Sequence, residues 1–160
     1  MTKLHEFAAD NEIGKRGERI FMDFLRRHGY TFTDVSDDRE YQRQDVDVLI
    51  ESRKVEGKRI PVEVKNDTMI HKTGNIFFET MSNVDYATDG CFQKTKADIM
   101  VIVSEPEKAI YLVDAQFLKK YVSENSKSLR FISRVPGSNS CGYLIPVRSI
   151  TDRVKKVSYG

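Results

Sequence analysis

Residues 61–67, PVEVKND, place two charged side chains in a run that otherwise has the composition of a buried β-strand. A buried charge is costly unless it is paired or binds a metal ion. Alternate residues of a strand point to the same face, so Glu63 and Lys65 share one face and Val62 and Val64 the other. An acidic and a basic group held side by side in this way suit metal-assisted hydrolysis of a phosphate ester.

The preceding run, residues 44–51 (QDVDVLIE), follows the same rule. Asp45 and Asp47 fall on one face, with the aliphatic side chains on the other. If this run pairs antiparallel with the next strand, an aspartate meets Glu63 across the strands, beside Lys65. Two carboxylates this close repel each other unless a cation lies between them.

The expected cation is Mg²⁺, with Mn²⁺ as a substitute. Mg²⁺ prefers oxygen ligands and usually binds one or two carboxylates together with water and substrate phosphate. The backbone carbonyl of Val64 would supply a further oxygen. An adjacent ammonium, that of Lys65, would position the attacking water or help to activate it.

Asp47, followed sixteen residues later by Glu-Val-Lys at 63–65, resembles the PD-(D/E)XK nuclease superfamily, which includes restriction endonucleases and Holliday junction resolvases. The resemblance implies a restriction-endonuclease-like α/β fold, with Asp47 and Glu63 as metal ligands and Lys65 as the catalytic lysine. The family's proline is absent, since Val46 precedes Asp47. The resemblance covers residues 12–104, and the small size suggests a phage or mobile-element member.

Two further segments are similar to elements of that family. The sequence GKRGE before an amphipathic helix implies that Glu18 faces the site, with Gly14 and Gly17 permitting close approach. The segment GCFQKTKADIMVIV resembles the helix and strand that follow the (D/E)xK strand. It implies DNA contacts by Gln93, Lys94 and Lys96.

The predicted elements are consistent with a central mixed β-sheet flanked by α-helices. The expected helices are residues 11–28, ended by Gly29, a turn within 90–97, and 115–125 with Asp114 as N-cap. The expected strands are 31–37, a meander of 45–51, 59–66 and 75–81, a fully buried run at 98–104, its neighbour at 109–114, and a terminal hairpin. Residues 36–44 are expected to form a polar loop.

Composition predicts one globular domain over residues 1–160, with 39% hydrophobic and 31% charged residues. The formal net charge of +2 is compatible with DNA as a partner without requiring it. Cys91 and Cys141 have no metal-binding spacing, and no export or membrane signal is found, so a cytoplasmic protein is expected.

Alternatives remain at this stage. Glu63 and Lys65 could form an ordinary ion pair on a solvent-facing strand, Asp45 could exchange roles with Asp47, and Glu79 could either support the site or face solvent. The protein could instead be a non-catalytic DNA-binding module on the same fold, or an interaction protein. A junction-specific resolvase is a narrower enzymatic alternative, and its two symmetric nicks would require a homodimer.

Overall fold

The computed structural model of the protein describes residues 3–160, with side chains from Ala8 onward. Within this range the α-helices are α1 (Lys3–Arg27), α2 (Arg39–Arg43), α3 (Ile70–Thr73), α4 (Cys91–Lys94) and α5 (Ala115–Asn125). A 3₁₀ turn covers Val147–Ser149.

The larger sheet is the central layer. In chain order its strands are β1 (Phe32–Asp34), β2 (Val48–Glu51), β3 (Arg59–Asn66), β6 (Ile99–Ser104), β7 (Ala109–Asp114) and β10 (Val154–Ser158), and this is also their spatial order. The pairing of β3 with β6 is parallel and every other pairing in this sheet is antiparallel. The expected mixed α/β architecture is therefore confirmed.

Helix α1 covers one face of the central sheet. Its apolar stripe, which includes Phe21 and Leu25, is buried against Val62 and Val64 of β3. Gly29 adopts a left-handed φ of 71° just after the helix, where a residue without a Cβ is least strained. The predicted helix end is confirmed, whereas the helix begins earlier than predicted, at Lys3.

The opposite face is covered by α5 and a second, four-stranded antiparallel sheet. The spatial order of that sheet is β5 (Thr88–Asp89), β4 (Asn75–Asn83), β9 (Cys141–Pro146) and β8 (Arg130–Ile132). Ile76 and Phe78 from β4 join Leu118 from α5 in a core with Met100 and Ile102 from β6. The central sheet is thus buried on both faces where β3 and β6 meet.

The predicted three-strand meander is wrong in its last member. β2 and β3 are antiparallel neighbours, but residues 75–81 belong to the second sheet. The neighbour that β3 takes instead is β6, whose continuous apolar run can be buried on both faces. β4 carries buried apolar side chains on one face only and serves as a covering layer.

Other local predictions are mixed. Helix α5 with Asp114 as its N-cap is confirmed, because the Asp114 carboxylate accepts a 2.7 Å hydrogen bond from the Phe117 amide. The turn of helix at α4, the β6–β7 pair and the β8–β9 hairpin are also confirmed. Residues 39–43 form α2, capped by Asp38, rather than a loop. β10 was not predicted.

Candidate active site

Asp47 directly precedes β2, whose first residue, Val48, pairs with Val62 of β3. The carboxyl groups of Asp47 and Glu63 lie close enough to interact. The Asp47 amide donates a 2.8 Å hydrogen bond to the Val62 carbonyl, and the Asp47 carbonyl accepts one of 2.9 Å from the Val35 amide. Backbone hydrogen bonds to the neighbouring segments on both sides therefore fix Asp47 at the point where β2 begins.

The Asp47 carboxylate is oriented by the neighbouring strand. Its Oδ2 accepts a 2.8 Å hydrogen bond from the Val64 amide. The N–H and C=O groups of one strand residue point to the same edge, so the Val64 carbonyl also faces the Asp47 side. An aspartate oxygen and a backbone carbonyl oxygen are therefore available at this edge of β3.

Glu63 is almost fully buried, with 6% of its surface exposed, so it is not part of a solvent-facing strand. Its Oε2 is buried and has no hydrogen-bond partner among the described residues. Burial and the negative charge of Asp47 raise the pKa of Glu63, and Lys65 opposes this shift. Burial also raises the pKa of Asp47, against the Val64 hydrogen bond. The pair is stable only with a proton or a cation between its oxygens.

Lys65 lies beside Glu63 and is surrounded by acidic groups. The pKa of Lys65 is raised most by negative charge at Cys91. Burial opposes this rise, and Glu79 and Glu63 raise the pKa of Lys65 further. Burial also raises the pKa of Cys91, so its thiol is neutral at physiological pH. The carboxyl groups that lie near the Lys65 ammonium are those of Glu79 and Glu63.

Glu79 and Cys91 reach Lys65 because α4 packs closely on β4. A Cβ at Gly90 would lie 2.5 Å from the Glu79 carbonyl oxygen, so only glycine allows this approach. The Cys91 amide then donates a 3.3 Å hydrogen bond to Glu79 Oε1. This contact joins α4 to β4 beside Lys65.

Glu18 approaches the carboxylates from α1. It lines a cavity of about 370 Å³ together with Asp47 and Glu63. Burial and the charge of Asp47 raise its pKa, while Lys15, 3.2 Å away, lowers it. The structure thus brings Glu18 to the pair, as the sequence indicated.

The two glycines of α1 differ. At Gly17 a Cβ would lie 2.7 Å from the Cβ of Asn66, so close packing of α1 on β3 requires glycine there. At Gly14 no heavy atom among the described residues, apart from the backbone of α1 itself, lies within 4 Å of the position that a Cβ would take, so the expected close approach is not found there.

Asp45 does not lie where strand parity placed it. Its φ of 48° takes residue 45 out of the extended conformation, and β2 begins only at Val48. Its carboxylate instead lies 3.9 Å from Lys94 Nζ. Burial raises the pKa of Asp45, and Lys94 and then Lys65 oppose this. Gln93, Lys94 and Lys96 are exposed at α4 and just after it.

The donors at the site suit a hard cation. In the part of the chain that the structure describes, no three His, Cys, Asp or Glu side chains form a metal-binding group. The oxygens available are two carboxylates, Asp47 and Glu63, and the Val64 carbonyl. A small ligand set of this kind, completed by water and substrate, is typical of Mg²⁺.

The chain is similar to a known structure and to no known sequence family. The sequence matches no family model and no curated protein. Among solved structures it is similar to a bacterial homing endonuclease, I-Ssp6803I, with 18% sequence identity and a TM-score of 0.47. The match covers 68% of this chain and 67% of the endonuclease. Separately, no helix within residues 3–160 has the length and hydrophobicity to cross a bilayer.

Sequence reasoning missed two groups that the structure brings to the site, Cys91 and Lys15. Cys91 lies next to Lys65 only because of the α4–β4 contact, and no local pattern marks it. Lys15 bridges Glu18 and Asp37, at 3.2 and 3.0 Å. Its place three residues before Glu18 was the available signal, because residues so spaced are neighbours on a helix.

Proposed function

We propose that the protein is a Mg²⁺-dependent DNA nuclease of the PD-(D/E)XK type, with Mn²⁺ able to replace Mg²⁺. The observation that carries the proposal is the Oε2 atom of Glu63, which is buried beside the Asp47 carboxylate and has no hydrogen-bond partner among the described residues. Unless Glu63 shares a proton or a cation with Asp47, this atom destabilises the folded state.

A divalent cation would remove this cost. Asp47, Glu63 and the Val64 carbonyl would hold it, since all three residues line the same cavity. When bound, Mg²⁺ supplies positive charge that polarises a phosphodiester and neutralises charge on its oxygens. The chain contributes a ligand set that is already oriented by backbone hydrogen bonds.

Lys65 is proposed to contact the substrate rather than the cation. Its ammonium lies near two carboxylates, Glu79 and Glu63, which raise its pKa, so it is a donor of hydrogen bonds rather than a proton acceptor. It would orient the attacking water and donate to a phosphate oxygen. Glu18 closes the cavity on the α1 side and adds negative charge near the cation site.

Lysines beside α4 support DNA as the substrate. Lys119 Nζ donates a 2.7 Å hydrogen bond to the Thr95 carbonyl. Burial lowers the pKa of Lys119 most, and the nearby charge of Lys96 lowers it further. Together with Lys94 and the amide of Gln93 they give a basic surface next to an acidic cavity. This arrangement allows phosphate binding in a protein whose net charge is only +2.

A cleavage panel tests the proposal. Linear, circular, single-stranded and branched DNA are incubated with the protein in Mg²⁺, in Mn²⁺ and in EDTA, beside the Lys65→Ala variant. We expect cleavage with either metal ion, none in EDTA and none by the folded variant. Salt-dependent DNA binding without cleavage would instead support a non-catalytic module, and preference for four-way junctions would support a dimeric resolvase.

A further inference from the structure

A second cavity, of about 410 Å³, lies next to the carboxylate site. It is bounded by the end of β3, by the face of the second sheet that carries Phe77, and by the buried side chains of Phe92 and Ile102. Lys65, Asn66 and Thr68 line both this cavity and the one that contains Asp47 and Glu63. The two cavities therefore adjoin at the proposed catalytic lysine.

The wall of this cavity is an uncovered apolar strand face. Alternate residues of β4, Phe77 among them, point into it, while Ile76 and Phe78 point into the core. Leu144, the strand partner of Phe77, continues this wall, and so does Ile132 on the edge strand β8. All three wall residues are only half-buried, so the fold leaves an aromatic and aliphatic surface open beside Lys65.

A few polar groups stand at the margins of this wall. Glu79 uses Oε1 to accept from the Cys91 amide and faces the cavity beside Lys65. Asn75 also lines the cavity. A cavity of this size, with apolar walls and a few polar groups, is typical of a site for a small planar ligand.

We propose that this cavity takes one unpaired nucleobase of the DNA strand whose phosphate lies at Asp47 and Glu63. The inference rests on the proposed nuclease function and names its substrate class: DNA with an unpaired nucleotide next to the cleaved bond. A strand with its phosphate beside Lys65 would bring its adjacent nucleoside to the second cavity, which shares Lys65, Asn66 and Thr68 with the first. The Phe77 ring offers a stacking surface there.

The polar groups favour a base that carries an amino group. A glutamate accepts a hydrogen bond from the cytosine amino group, and an asparagine pairs with the donor and acceptor of adenine. Glu79 and Asn75 are placed to do so. Paired DNA would be cleaved more slowly, because its base must first leave the helical stack.

The test uses two variants of the edge strand β8. Ile132→Trp fills the cavity. Phe131→Trp is the matched control, because Phe131 points to the other face, where its ring lies 5.0 Å from that of Tyr143. Cleavage in Mg²⁺ is measured on a duplex with one unpaired adenine or cytosine beside the scissile bond, on the fully paired duplex, and on a duplex with an abasic analogue at that position.

We expect the wild type to cleave the unpaired substrate roughly tenfold faster than the other two, the size expected for one base–aromatic stack. Phe131→Trp should keep this preference and Ile132→Trp should lose it. Equal rates of the wild type on all three duplexes would overturn the inference, and this result does not depend on the folding of any variant. Retention of the preference by folded Ile132→Trp would also overturn it.

Binding separates the inference from the proposed function. Binding of a duplex with 2-aminopurine as its unpaired base is measured by fluorescence with the wild-type protein in EDTA at low salt, and the fully paired and abasic duplexes are added as competitors. Preferential binding of the unpaired duplex without cleavage in Mg²⁺ would refute the nuclease and support the base site. Cleavage without preference in either measurement would refute the base site and leave the nuclease standing.

Discussion

The Val64 amide lies 2.8 Å from Asp47 Oδ2, so the backbone of one strand orients a carboxylate that its neighbour supplies. Val64 lies beyond the residues of β3 that pair with β2, which begins at Val48. This hydrogen bond gives the Val64 N–H a partner and at the same time fixes the carboxylate. Because the carboxylate is already oriented, its side chain needs little rearrangement when a cation binds. The site is thus preorganised by the same bond that ends the strand pairing.

The first prediction concerns Asp47→Asn. The asparagine oxygen can still accept from the Val64 amide, so the variant should fold, but it lacks the negative charge that a cation needs. We expect cleavage in Mg²⁺ to fall roughly a hundredfold or more, since even outer partners of metal ligands contribute roughly 10–100-fold. Cleavage rate and thermal unfolding are measured together. A folded variant with the wild-type rate would remove Asp47 from the site.

Part of this site could be predicted from the sequence because its geometry is local. Strand parity placed Glu63 and Lys65 on one face, and pairing of two adjacent strands brought Asp47 to them. Parity failed for Asp45, because a residue with a left-handed φ lies outside the strand and its side chain follows another direction. A short polar loop does not show such a conformation in its composition.

The rest of the site depends on contacts distant in sequence. Glu79 reaches Lys65 only because β4 leaves the central sheet and packs across it, and the choice between the two sheets is made by tertiary packing. Helix α2 and strand β10 are short and polar, so neither has a hydrophobic pattern that separates it from a loop. Such elements form because the core supplies partners for their backbones.

The second prediction is that Glu63→Gln stabilises the metal-free protein at neutral pH. The folded-state pKa of Glu63 is well above its ordinary value of 4.5. Its carboxyl therefore favours the folded state below that ordinary value and loses this contribution as pH rises through the folded pKa. In EDTA, the stability advantage of the variant should be small near pH 4 and grow toward pH 8.

We expect an advantage of roughly 1–3 kcal/mol at the higher pH, the cost of a buried group without a partner. Urea unfolding at several pH values measures it. Mg²⁺ should then raise the unfolding temperature of the wild type and not that of the variant, because only the wild type binds it tightly. A variant that is less stable than the wild type at pH 8 in EDTA would contradict the account of Glu63 as a ligand held ready for a cation.

The third prediction separates Glu79 from the metal ligands. Glu79 contacts the Cys91 amide and faces the Lys65 ammonium, so it is a positioning residue for that lysine. On a fully paired duplex, Glu79→Gln should lower the rate at saturating Mg²⁺ roughly tenfold and leave the Mg²⁺ midpoint unchanged, since the lost charge orients Lys65 and does not bind the cation. Glu124→Gln, on the exposed side of α5, is the control. A shifted Mg²⁺ midpoint in Glu79→Gln would show that Glu79 binds the cation.

The fourth prediction concerns Lys96, which is exposed just after α4 and close to Lys119. If these lysines contact phosphates, Lys96→Ala should weaken DNA binding alike for all sequences and reduce the slope of log affinity against log salt concentration by about 1. Lys54→Ala is the matched control, because Lys54 is exposed in the β2–β3 turn, at the opposite end of those strands from Asp47. The two variants are compared by titration of DNA at several salt concentrations. An equal change of slope for both would mean that the basic surface beside α4 contributes only through net charge, and the DNA path would then have to be sought elsewhere.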